Sequence, residues 1–156
     1  MDARYLDIYL NDHLAAGAGL LALLDRPIGS DPAVAPLRPE LEEDQQALKA
    51  LAAANGVRIR RPRLAGGWLA EKAGRLKFNG HLLRRSPLSP LVELEGLALG
   101  LGAKEWMWRT LGDRAADHAA AARCEELAGR AQRQRAAVEA RRAALAAEGL
   151  PEVRTG

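Results

Sequence analysis

Four long stretches of this chain place apolar side chains at intervals of three and four residues, and proline or glycine breaks separate them. Such spacing lines up side chains on one face of an α-helix, so each stretch must bury a stripe against its neighbours. The first, about Ala3 to Asp25, carries Leu6, Leu10, Gly17, Leu20 and Leu24. Pro27, Gly29, Pro32 and Pro36 follow, and a run with so many missing donors cannot be helical throughout. The second, about Leu37 to Ala54, repeats the pattern with Leu41, Leu48 and Leu51 and stops at Asn55-Gly56. Ser86-Pro87-Leu88-Ser89-Pro90 supplies cap and first-turn residues for a third stretch ending near Leu111, with Leu91, Leu99, Gly102 and Trp106 on its expected inner stripe. Gly112-Asp113 breaks the chain again. From Asp113 to about Glu148, good helix formers dominate, with Leu127, Ala131, Val138 and Leu145 facing inward.

The connection between the second and third stretches, Val57 to Leu88, is too long for a simple turn. Trp68, Leu69, Lys72 and Leu76 suggest a short helix within it, stopping near Asn79-Gly80. The expected fold is therefore all-α: a four-helix bundle of two helical hairpins joined by a long crossover that contains a short helix, the plan of ferritin-like bundles. One domain over residues 1–150 and a frayed tail over 151–156 are expected. Composition agrees, since a chain of 156 residues that is 48% hydrophobic and 28% charged can bury a core of its own.

Four polar residues interrupt the inner stripes, one per helix: His13, Asp44, Glu95 and Gln134. Burying polar groups is costly unless they are bonded, so this layer is either a ligand or metal site or a hydrogen-bonded network. His13, Asp44 and Glu95 offer a histidine and two carboxylates, a set suited to iron, manganese or zinc. Conventional di-iron bundles also use Glu-x-x-His pairs, and the chain has none. In the network alternative, His13 pairs with one carboxylate and Gln134 or Tyr9 bonds the other.

The remaining chemistry excludes more than it suggests. Cys124 stands alone and cannot form an intramolecular disulfide, and the first residues lack a secretory signal pattern, so a cytoplasmic location is expected. The longest apolar run, Leu14 to Leu24, is about half the ~20 residues of a membrane span. Cys124 on an Ala-rich helix reads as a core residue, and His118 beside Asp117 as part of a cap. Arg58, Arg60, Arg61 and Arg63 form a candidate anion or partner contact, and Arg130, Arg133, Arg135, Arg141 and Arg142 line the last helix. Interspersed glutamates, a net charge of +3 and only 4% aromatics argue against nucleic acid. Trp106 is expected in the core. An exposed Trp108 would instead mark a partner surface.

Tyr9-Leu10-Asn11-Asp12-His13-Leu14, Glu71-Lys72-Ala73-Gly74-Arg75-Leu76-Lys77, Ser86-Pro87-Leu88-Ser89 with Leu91, Leu94, Glu95 and Leu97, and Lys104 with Trp108 together resemble a set of uncharacterised bacterial ferritin-like bundle proteins. The resemblance implies the fold and carries no activity with it. The expected function is protein association without catalysis, including a homodimer through an Ala-rich or arginine-bearing face. The alternative is a ferritin-like protein binding metal through His13, Asp44 and Glu95.

Overall fold

A computed structural model describes residues 3–60 and 86–152. These form four long α-helices and no strand: α1, Ala3–Leu24; α2, Leu37–Ala54; α3, Ser89–Gly112; and α4, His118–Gly149. A 3-10 turn, Pro27–Ser30, follows α1. The expected short helix near Trp68 and the last residues of the expected tail lie outside the described residues. No helix of the described residues is long and apolar enough to cross a membrane.

Local chemistry sets the helix ends. After α1, Asp31 Oδ1 accepts the Ala33 N–H at 2.9 Å and stabilises the turn that leads into α2. At the other end of α2, Gly56 adopts φ +67°, a conformation only glycine enters freely. Gly56 N–H then reaches Ala53 O at 3.0 Å and Val57 N–H reaches Ala52 O at 2.9 Å, which satisfies two terminal carbonyls. Pro90 stands in the first turn of α3, where its missing donor costs nothing.

The fourth helix begins at His118 rather than at the expected Asp113. Asp117 is extended (φ −147°) and its carboxylate accepts the Ala120 N–H at 2.8 Å, so the helix starts at this cap. Turn hydrogen bonds from Asp113, Arg114 and Ala115 occupy the gap.

The core has two parts. Leu20, Leu23 and Leu24 of α1 pack with Leu37 and Leu41 of α2, Leu94, Leu97 and Leu101 of α3, Val138 of α4, and Ile28 and Val34 of the connecting turn. Leu10 and Leu14 pack with Leu48 and Ala52 of α2, Met107 and Trp108 of α3, and Cys124, Leu127 and Ala128 of α4. Each helix thus enters both clusters, and a polar layer lies between them.

One expected face is corrected. On α3 the buried residues are Glu93, Leu94, Leu97, Ala98, Leu101, Gly102, Glu105, Met107 and Trp108. Leu99 and Trp106, expected inside, are 62% and 69% exposed, and Trp108 is 1% exposed. The physical reason is that α3 is apolar nearly all round, and the stripe that packs is the one that brings Leu97, Leu101 and Trp108 inward.

Candidate functional site

Asp44 is the centre of the polar layer, 2% exposed on the inner face of α2. Lys104 of α3 donates to Asp44 Oδ2 at 2.5 Å and to Gln134 Oε1 at 2.6 Å. The Gln134 amide of α4 donates in turn to Glu40 Oε2 at 2.7 Å, with a longer contact to Asp44 Oδ2 at 3.4 Å. Arg130, one turn earlier on α4, reaches Glu43 Oε2 at 2.8 Å and Asp44 Oδ1 at 3.3 Å. Three helices are joined here by bonds that use both faces of the Gln134 amide and both oxygens of Asp44.

The charges are mutually supporting. Burial draws the Lys104 pKa below its ordinary value, and the Asp44 carboxylate opposes that shift. For Arg130, burial is outweighed by the hydrogen bond to Glu43 and the charges of Asp44, Glu43 and Glu40, so its pKa stands above the ordinary one. An amide at position 134 suits this setting, because it accepts from a cation and donates to a carboxylate at once.

The four layer residues named from spacing therefore separate. Asp44 and Gln134 meet. His13 does not join them by a hydrogen bond among the described residues: it is half-buried, lies edge-on to Tyr9 with ring centroids 4.6 Å apart, and has its pKa lowered by burial against an opposing effect of Asp12. Glu95 leaves the layer altogether, exposed on the outer side of α3, because the helix is rotated from the expected face. The residue that spacing overlooked is Lys104. Its signal was present, since Leu97, Leu101, Lys104 and Trp108 form one three-and-four series.

A cavity of about 30 Å³ adjoins the layer, lined in part by His13, Gly17, Asp44, Gln45, Lys104 and Trp108. That space suits a water molecule, whereas organic ligands occupy pockets of roughly 300 Å³ and more. Trp108 Nε1 on its wall is buried without a hydrogen-bond partner among the described residues.

The donor set does not fit a metal. Asp44 is occupied by a lysine and an arginine, Glu95 faces away, and no group of three His, Cys, Asp or Glu side chains among the described residues converges to hold an ion. An ammonium already holds the carboxylate that a dication would need.

The arginines are largely engaged. Arg60 pairs with Asp7, and Asn11 grips the adjacent main chain by donating to Arg58 O at 3.2 Å and accepting from Arg60 N at 2.8 Å. Arg61 and Arg63 lie outside the described residues. On α4, Arg135 meets Glu105, Arg141 meets Asp31 and Arg142 meets Glu139. Cys124 is buried, and that burial raises its thiol pKa, consistent with a core residue. Comparison with protein-family models, with curated proteins and with solved structures finds no match.

Proposed function

We propose that this chain acts by protein association through the outer face of α3, without catalysis, and that its polar layer is a structural device. The observation that carries the reading is the pair Leu99 and Trp106, 62% and 69% exposed. Seven residues are about two helical turns, so both point the same way. A tryptophan is a large apolar surface to leave in water, and aromatic residues are enriched at interface centres. Leu88, 41% exposed, extends the same line toward the helix start.

The interior supports the negative half of the reading. The cavity beside Lys104 accommodates water, and the charged groups there are bonded to one another. Such a network serves to hold three helices in one register.

The ferritin-like arrangement belongs to the same proposal. Leu37 and Leu41 near the start of α2 share a cluster with Leu94 and Leu97 near the start of α3, and Ala52 shares the other with Met107. That pattern supports parallel α2 and α3, the relation a long crossover produces. We further place the protein in the cytoplasm, in keeping with its single buried thiol.

A photoreactive amino acid at position 99 of the full chain tests association. Ultraviolet irradiation in extracts of the producing cells should give a protein–protein adduct, and the same group in place of Gln132, on the exposed side of α4, should not. The absence of any adduct at position 99 sinks the reading.

A further inference from the structure

We propose that the partner of this face is a second copy of the chain, its α3 packed antiparallel on the first; this deepens the association reading above and rests on it. Leu88, Val92, Glu95, Leu99, Ala103 and Trp106 follow one another at steps of four and three. This heptad spacing forms the seam of a helix pair. It runs about 33 Å along the helix from Leu88 to Thr110, at a rise of about 1.5 Å per residue. The core of the bundle lies on the other side, where Leu94, Leu97, Leu101 and Trp108 are buried. Among the described residues, neither core cluster includes Leu99 or Trp106.

The choice of a second copy comes from self-complementarity. An isologous twofold contact brings residue i against residue j and j against i. A twofold axis passing between Gly102 and Ala103 sets Leu99 against the partner's Trp106, and Trp106 against the partner's Leu99. It also sets Glu95 within one residue of the partner's Arg109. Glu95 and Arg109 lie on the same flank of the seam, the one facing α4: Arg109 reaches Glu125 at 3.7 Å, and the charge of Glu95 acts on Arg142. In an antiparallel helix pair with this symmetry, side chains on the same flank meet across the interface. Each acid therefore finds a base, twice per dimer. A parallel twofold pair carries this flank to the opposite side of the interface, so Glu95 and Arg109 would find no such partners there.

The side chains can make these contacts. The Arg109 side chain is 43% exposed although it already bonds Glu105 and lies 3.7 Å from Glu125. With only two of its five N–H donors spent on Glu105, its guanidinium retains donors for a further carboxylate. Ala103, partly buried at the crossing point, is small, which lets the helices approach closely, with room beside it for the indole and leucine of each pair.

The experiment uses the full chain with Cys124→Ala, so that introduced thiols are the only ones. Sedimentation velocity from roughly 1 to 300 µM should show monomer passing to dimer, a range that spans the affinities expected of a contact one helix wide. Trp106→Glu should weaken dimerisation by about 30-fold or more while leaving the far-ultraviolet circular dichroism unchanged. Leu99→Cys and Trp106→Cys chains, treated with a short bifunctional thiol reagent, then report direction. A mixture of the two should cross-link between unlike chains, whereas either variant alone should not, because its thiols lie about 10 Å apart along the seam. Monomer at every concentration overturns the proposal, as does cross-linking of like chains without the mixed product. If the chain is monomeric and position 99 nevertheless gives an adduct with another protein, the second-copy proposal fails and the association reading stands. If neither occurs, both fail.

Discussion

Lys104 is the most consequential single residue described here. Its ammonium is the direct counter-charge to a carboxylate that is 1% exposed, and among the described residues Arg130, at 3.3 Å, shares that task. Lys104→Met should cost about 3 kcal/mol in urea unfolding, because it leaves a buried charge undercompensated. Lys104→Met combined with Asp44→Leu should recover most of that loss, since a well-packed apolar pair escapes the desolvation penalty. If the single change costs less than about 1 kcal/mol, the network is not holding the helices as described.

His13 makes the second prediction at this scale. Burial lowers its pKa in the folded chain, so below about pH 6.5 the unfolded chain binds a proton that the folded chain resists. Stability should therefore fall as pH drops through the ordinary histidine value, and the loss should level off below the folded pKa. Unfolding free energies at pH 7.5 and 5.0 should differ more for the natural chain than for His13→Gln. Equal differences in the two would remove His13 from the pH response.

At the scale of the element, α3 shows how a helix with two apolar faces conceals its orientation. The phases of α1, α2 and α4 were legible because polar residues bound their stripes: Leu41, Asp44 and Leu48 are flanked by Glu42, Glu43 and Gln46, and all three lie inside. On α3, Leu94, Leu97 and Leu101 compete with Val92, Leu99 and Trp106, and spacing alone cannot rank two stripes of similar quality. Contacts with α1 and α4 decide it. The error carried through to the site, since rotating α3 removed Glu95 from the layer and brought in Lys104.

The same contacts explain a small residue in α3. A Cβ added at Gly100 would lie 2.4 Å from Leu20 Cδ2, and Leu20 is itself 2% exposed with little room to retreat. Gly100→Ala gains up to about 1 kcal/mol of helix propensity and loses about 1–3 kcal/mol to overpacking, so the melting temperature should fall. Gly149→Ala, with open space around its Cβ, should leave it unchanged or slightly higher. A rise at Gly100 would mean that α1 and α3 are less closely packed than described.

For the whole molecule, an exposed Trp106 ties stability to concentration. If folding and pairing are linked, the melting temperature should rise with protein concentration, since association stabilises the folded state by mass action. Scanning calorimetry over a hundredfold range should show the rise in the natural chain and none in Trp106→Glu. A concentration-independent transition in both would detach this face from the molecule's energetics.

Asn11 has a further consequence, one for variation over time. Its amide holds the peptide groups of residues 58 and 60, from the Arg58 carbonyl to the Arg60 N–H, and takes no hold of the side chain at Ile59 between them. The path of that segment is thus written in part at position 11, one helix away. Arg58 and Ile59 are at liberty to drift in sequence while the chain keeps its course, and selection for that course falls on Asn11 together with the Asp7–Arg60 pair.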